Sequence, residues 1–269
     1  MLIHPMPDPT IIAIGPFAIQ WYGLMYLTGF LLFIIFGRIR IRQPHLAAAG
    51  WTPKHLEDML FYGVLGVIIG ARLGEVIFYH PAYFLAHPWE IFAIWKGGMS
   101  YHGGMLGVVF AAWIYGLRNG RGFLEVVDLV TPLVCFGYIA GRIGNFINAE
   151  LHGKVASATL PWAMIWPNVD LLPRHPSPLY QAFFDGFVVL VLLWIYARKQ
   201  RPPGAVAAMY LVLYGVCRIF TEHFRVPDYE ISLAFLSVSS GQLLSIPMIM
   251  VGATYLVFIY RKTARQGHL

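Results

Sequence analysis

GRIGNFINAELHG, residues 141–153, closes a long apolar run and sets how the rest of the chain is read. It brings together Arg142, Asn145, Asn148, Glu150, His152 and three glycines. An apolar chain gains nothing in packing from gathering so many polar groups. Ionisable residues at a membrane boundary are costly and mark sites. The plain alternative is a helix exit followed by a polar loop, and the surrounding chain has to decide between them.

That chain is 269 residues long, 58% hydrophobic and 12% charged, against about 25% charged in soluble domains. The balance describes a protein embedded in a bilayer. The net charge of +6 does not argue for nucleic acid, because the basic residues alternate with apolar spans and form no single patch. Charge placement reads as topology. Cys135 and Cys217 lie inside apolar runs and read as small packing residues. With no CxxC, HExxH or clustered Cys/His spacing, the sequence predicts no metal site and no cofactor. The first Lys or Arg is Arg38, so the N-terminus lacks the basic region of a signal peptide and reads as uncleaved.

Working outward, residues 1–16 are Pro-rich and too broken to span. Segments of roughly 20 residues fall near 17–37, 57–79, 98–117, 123–142, 176–197, 204–222 and 240–260. The fourth contains Asp128 and Pro132. The expectation is an all-α, polytopic membrane helix bundle of about seven spans, one domain over 1–269. One set of connections holds Arg38, Arg40, Arg42, Lys54, Arg118, Arg121, Arg198, Lys199, Arg201, Arg261, Lys262 and Arg265. The opposite set holds Lys96, Lys154, Arg174 and Arg225. The positive-inside rule then places the N-terminus outside and the C-terminus in the cytoplasm, as an odd span count requires. Residues 80–96, with Trp89 and Trp95, suit an outer segment lying in the interface. Residues 143–175, longer than an ordinary connection, suit a small outer cap.

Arg72, Arg142 and Arg218 fall in the last third or at the exit of spans running outward, within roughly 10–15 Å of the outer surface at helical rise. His102 and Tyr22, near the starts of spans running the other way, reach the same depth. Each has a second reading. Arg72 precedes Glu75 by three residues, which equally describes an intrahelical pair. Tyr214, Arg218, Glu222 and Arg225 lie on one helical face, where Arg218 and Glu222 are able simply to neutralise each other and Arg225 to snorkel at the helix end. Tyr22 beside Trp21 fits an aromatic belt. The glycines of GGMSYHGGMLG, 97–107, fit helix–helix packing, but packing does not account for the His102 imidazole among them.

Several arginines in an outer leaflet point to phosphate, which guanidinium binds through paired, charge-assisted hydrogen bonds. Asn145 and Asn148 add neutral donors for a headgroup, and His102 is suited to take a proton at neutral pH. The chemistry is that of phospholipid binding or conversion. A transporter or flippase is the alternative, though it predicts related halves and broken midplane helices. Beyond two short echoes, GARLG at 70–74 and GRIG at 141–144, no repeat supports it.

QWYGLMY at 20–26, GGMSYHGG at 97–104, GRIGNFINAE at 141–150, RHPSPLY at 174–180 and YGVCRIFTEHFR at 214–225 together resemble the bacterial prolipoprotein diacylglyceryl transferases. The match runs in order over nearly the whole chain. The resemblance implies a seven-span enzyme of the bacterial inner membrane, its site toward the periplasmic leaflet. Such an enzyme moves a diacylglyceryl group from phosphatidylglycerol to the lipobox cysteine of a preprolipoprotein signal peptide, forming a thioether and releasing glycerol phosphate. Its partners would be these substrates and membrane lipids, with no nucleic acid. Carried over by motif, Arg142 and Arg218 bind the lipid phosphate, and His102, Tyr22, Asn145 and Gly153 fall on positions tied to activity. The expected catalytic residues are His102, Arg142 and Arg218. Those expected to bind substrate are Tyr22, Asn145, Asn148, Glu150, Gly153, Tyr214, Glu222 and Arg225. The sequence departs from the pattern at Gln20 (His expected), Gln181 (Glu expected) and His152 (often aromatic), and has a short 154–173 segment.

Overall fold

The structure is a computed structural model and describes residues 2–15, 17–227, 229–233 and 236–266. Among them, six helices are long and apolar enough to cross a membrane: Trp21–Arg40, Pro53–Tyr79, Phe123–Ile147, Ser177–Tyr196, Ala205–Glu222 and Ser240–Arg265. The helix expected near 98–117 forms as Tyr101–Arg118 but stands outside this set, its apolar content diluted by glycines and by Tyr101, His102 and Arg118. Outward residues such as Leu27, Leu31, Phe61, Met250, Val251 and Phe258 are exposed. Apolar side chains so placed are suited to hydrocarbon, where every backbone group must be satisfied within the helix. Phe123–Ile147 stays helical through Pro132, which membrane helices tolerate where neighbouring groups re-satisfy the freed backbone carbonyl.

The chain divides into two compact units, residues 1–37 with 128–269, and residues 38–127. In the smaller unit, Thr52 caps Pro53–Gly74 through a capping box with His55. The helix ends in a π-helical turn, Glu75–Tyr79. Pro53–Gly74 packs on Tyr101–Arg118 through Gly66, Gly70, Gly74, Gly103 and Gly107, where an added Cβ would strike the facing backbone. Small residues let two helices approach to this distance, so packing accounts for much of the 97–107 glycine pattern.

Residues 80–96 form short helical turns, Pro81–Ala86, Pro88–Phe92 and Ile94–Lys96, with Trp89 and Trp95 more than four-fifths exposed. Arg72 holds this segment. Its Nε donates to the carbonyl of Ile91 at 2.8 Å and its Nη1 to those of Gly97 at 2.7 Å and Gly98 at 3.0 Å, while Nη2 reaches the carbonyls of Glu90 and Ala93. The guanidinium also lies over the Phe84 ring. Glu75 pairs with His80 instead, at 2.8 Å. Neither the Arg72–Glu75 pair nor a phosphate site at Arg72 fits this arrangement, because the guanidinium is spent on carbonyls. Replacing Arg72 with Met strands buried acceptors. We expect a loss of about 3 kcal/mol or more, read as a lower thermal midpoint in detergent and faster protease cutting within 80–100. A variant that melts and cuts like the parent contradicts this account.

In the larger unit, the chain begins with strands. Leu2–Ile3 pairs in parallel with Met164–Ile165, which pairs antiparallel with Pro173–Arg174. Thr10–Ile14 and Phe17–Gln20 form a hairpin leading into Trp21–Arg40. A second hairpin joins Glu230–Leu233 to Leu236–Ser239. The bundle is thus helical with small β additions outside the spans that its hydropathy pattern does not announce. Asp128 accepts from the N–H groups of Gly204 at 2.7 Å and Ala207 at 2.9 Å. It thereby satisfies the unpaired N-terminus of Ala205–Glu222 with a favourable charge. This is why a carboxylate is tolerated in that span.

Among the segments outside the long helices, the buried His4 stacks on Trp166 at 4.6 Å, and its Nε2 meets the Phe146 carbonyl at 2.8 Å. Burial lowers the His4 pKa from the ordinary histidine value. Arg174 grips Asp170 through two bonds of 3.1 and 2.6 Å. That pairing holds the Asp170 carboxyl below its usual range.

Candidate active site

The helix that enters GRIGNFINAELHG continues to Ile147. Arg142 and Asn145 therefore lie on a regular helix and not at its exit, and the cap begins later than residue 143. Four residues before Arg142, the Tyr138 ring lies 4.9 Å beneath its guanidinium. Three residues after it, Asn145 Oδ1 accepts from Arg142 Nη1 at 3.3 Å. Asn145 is buried and passes the contact on, its Nδ2 donating to Glu150 Oε2 at 2.8 Å. Asn148 Nδ2 approaches the other Glu150 oxygen at 3.5 Å.

The chain turns here through two left-handed residues, Ala149 at φ 56° and Leu151 at φ 54°, costing on the order of 1 kcal/mol each. Glu150 between them is thereby turned back toward Asn145. The Asn168 amide and the Ser177 hydroxyl donate to the carbonyls of Ala149 and Leu151, holding the turn. Tyr22 joins this group: an added Cβ on Gly144 would lie 3.2 Å from its ring.

On Ala205–Glu222, the expected face holds. Arg218 Nη2 pairs with Glu222 Oε2 at 2.7 Å, and Arg225 Nη1 lies 3.4 Å from Glu222 Oε1. Glu222 is 2% exposed and lies against Gly241. Arg225 is buried too, so it does not snorkel: Glu222 draws it inward. Arg218 has further partners in the Ser177–Tyr196 helix, namely Gln181 Oε1 at 3.2 Å and Asp185 Oδ2 at 3.7 Å. The Tyr214 ring meets Tyr138 edge-on, 5.7 Å between centroids.

The two groups meet at Tyr138. Its ring carries Arg142, and its hydroxyl donates to Asp185 Oδ2 at 3.1 Å. Gly153 connects the cap to the same region. Its N–H donates to the His175 carbonyl at 2.9 Å, Lys154 N–H donates to the Phe224 carbonyl at 2.9 Å, and Gly153 bridges to Arg225.

Electrostatically the two arginines differ. Arg218 is flanked by Asp185 and Glu222, whereas among the described residues Arg142 has no carboxylate within ion-pair distance. A guanidinium with spare donors and no carboxylate paired to it among the described residues is suited to take an anion. His102 belongs to the other unit, one residue into Tyr101–Arg118. Its ring is exposed, packs edge-on against Tyr101 at 5.6 Å and makes no side-chain hydrogen bond among the described residues.

Tyr138, Asp185 and Thr221 were not legible as site residues, and Gln181 stood out only as a departure from a motif. Asp185 did leave a signal, as a carboxylate inside an apolar span.

The family model described as prolipoprotein diacylglyceryl transferase matches residues 9–258. A protein of Janthinobacterium sp. (strain Marseille) is 60% identical over 262 residues, covering 97% of this chain and 99% of its own. Proteins of Cupriavidus necator and Azoarcus sp. (strain BH72) are each 53% identical. The first covers 99% of this chain and 98% of its own, the second 98% and 100%. All three carry the name phosphatidylglycerol–prolipoprotein diacylglyceryl transferase. With these matches spanning nearly its full length, the chain belongs to the prolipoprotein diacylglyceryl transferase family.

Proposed function

We propose that this multi-pass membrane protein transfers the diacylglyceryl group of phosphatidylglycerol to the lipobox cysteine thiol of a preprolipoprotein. The observation that carries the mechanism is Arg142, a guanidinium with no carboxylate within ion-pair distance among the described residues, beside the buried Asn145 and backed by the Tyr138 ring. The cysteine sulfur attacks the glycerol carbon that bears the phosphate ester. A C–S bond forms, the C–O bond breaks, and glycerol phosphate leaves with the bonding pair. Arg142 and Arg218 stabilise the charge that grows on the departing phosphate. Asn145 and Asn148 orient the headgroup, with Glu150 holding Asn145. Tyr22 and Tyr214 flank the lipid, while Glu222 and Arg225 keep Arg218 in place.

The membrane in this reading is the bacterial inner membrane, with the N-terminus and the site on the periplasmic side and the C-terminus in the cytoplasm. Tyr101–Arg118 crosses as the seventh span. Its outward Leu106, Phe110, Trp113 and Leu117 are exposed and apolar, and the distribution of basic residues needs an odd count. Exposed Trp89 and Trp95 suit a segment lying in the interface. The test is to incubate the purified chain with phosphatidylglycerol and a lipobox peptide. The peptide gains the mass of one diacylglyceryl group on cysteine; lipid movement without peptide modification would speak for a transporter.

The thiol proton goes to His102, which raises the reactive thiolate fraction. His102→Gln is expected to lower the rate near neutral pH by about a hundredfold, with part of the loss recovered as pH rises toward the thiol pKa of about 8.5. A variant whose pH–rate profile matches the parent at saturating lipid removes His102 as the base.

A further inference from the structure

We propose that Tyr138 and Asp185 are positioning residues that fix the guanidinium groups of Arg142 and Arg218 relative to each other; this rests on the reading above that both take the lipid phosphate. Tyr138 carries one arginine on its ring, and its hydroxyl holds the carboxylate that faces the other. The Arg142 guanidinium carbon lies 4.9 Å from the ring centroid, and the hydroxyl donates to Asp185 Oδ2 at 3.1 Å. Asp185 in turn faces Arg218 Nη1 at 3.7 Å. Thr221 Oγ1 steadies the carboxylate from the far side, 3.0 Å from Oδ1 and 2.9 Å from Oδ2.

Asp185 is 1% exposed and Thr221 fully buried, so these contacts lie away from bulk solvent. The link joins Phe123–Ile147, Ser177–Tyr196 and Ala205–Glu222, which supply Tyr138, Asp185 and Thr221 respectively.

Glu222 is shared between Arg218 at 2.7 Å and Arg225 at 3.4 Å, so Asp185 contributes charge as well as position. A carboxylate buried in a membrane helix is costly unless it is firmly held. Asp185 is also directed more firmly at the Tyr138 and Thr221 hydroxyls than at Arg218. A carboxylate so held neutralises its neighbour and also fixes the direction from which it does so. The backbone beneath it departs from a regular helix. Ala182–Val188 is π-helical, and such insertions re-aim side chains and are frequent at functional sites. Two guanidiniums that must close on one phosphate gain rate from a fixed spacing, because no reorganisation is then left for the moment of reaction.

The experiment uses the full-length protein in micelles with phosphatidylglycerol and a lipobox peptide. Tyr138→Phe keeps the ring under Arg142 and removes the hydroxyl. Asp185→Asn keeps the shape and removes the charge. Each is made alone and in an Arg218→Lys background, with kcat, KM for lipid and thermal midpoint measured together. Tyr138→Phe should lower kcat about tenfold, with KM within about twofold and a modestly lowered midpoint from the lost bond to the buried carboxylate. In the Arg218→Lys background the same substitution should lose most of its effect, since residues acting through one another are not additive.

Equal fold-losses in both backgrounds overturn the proposal, as does a parent-like kcat for Tyr138→Phe. A kcat loss that disappears when turnover is measured well below the lowered midpoint also overturns it, leaving Tyr138 a support of the fold alone. If Arg142→Lys and Arg218→Lys both turn over like the parent, the phosphate reading fails and takes this inference with it. If those two are impaired while Tyr138→Phe is not, only the inference fails.

Discussion

Replacing Arg142 with lysine is expected to lower kcat by about a hundredfold or more, with a smaller change in KM for phosphatidylglycerol. Lysine keeps the positive charge but presents a compact ammonium in place of a planar fork. It loses the paired donors that match two phosphate oxygens, and it loses the flat face that rests on Tyr138. The remaining attraction for the ground-state phosphate sustains binding, so the deficit falls on the step in which charge develops on the leaving group. Arg142→Gln should be slower still. Among the described residues Arg142 has no carboxylate within ion-pair distance, so either change should lower the thermal midpoint only by what its bond to Asn145 Oδ1 contributes.

Arg218→Gln offers the contrast. It abandons Glu222 and Asp185, both buried, and should cost about 3–5 kcal/mol of stability along with turnover. Steady-state kinetics and thermal unfolding on the same preparations separate the two. An Arg142→Lys enzyme with near-parent kcat would sink the phosphate clamp.

Why Arg142 was legible in the sequence while its supports were not comes down to range. Hydropathy sees what a segment does locally, so the apolar lengths that must cross a bilayer stood out. So did the polar residues of 141–153 that no lipid-facing helix would carry. It ended the fourth span at 142 because charge begins there. The helix instead runs on to Ile147, since Arg142 and Asn145 satisfy each other along one face and Asn145 passes its other donor to Glu150.

Partners distant in the chain were a different matter. Arg72 reads as an ion pair with Glu75 until residues 90–98 fold back and fill its donors with carbonyls. Arg225 reads as a snorkelling end residue until Glu222 turns it inward. Tyr138 and Asp185 are 47 residues apart, and no local pattern joins them. Asp128 offered the same difficulty: an acidic residue in a span looks like a flaw until the N-terminus of Ala205–Glu222 arrives to use it.

Gly153 poses the sharpest question left by that difference, because the family resemblance leads us to expect it against the substrate while its surroundings are largely backbone. Gly153→Ala should abolish most turnover, and we expect it to do so by unseating the cap. An added Cβ would meet the carbonyl oxygens of His175 and Phe224 and the His175 Cβ at once. Backbone carbonyls cannot rotate aside as a flexible side chain can, so the strands must part. That breaks the Gly153–His175 and Lys154–Phe224 hydrogen bonds and the Arg174 Nη1 bond to the Gly153 carbonyl at 3.0 Å. The loss should be about 3 kcal/mol or more, from overpacking together with stranded polar groups.

The consequence for chemistry runs through Arg225. It bridges to Gly153 and approaches Glu222, which holds Arg218, so a displaced cap disturbs the second guanidinium. Thermal unfolding and limited proteolysis within 148–176 should both report the damage, and turnover should fall in step with them. A Gly153→Ala protein with the parent's midpoint and protease resistance, yet without activity, would instead place the substrate against Gly153 itself.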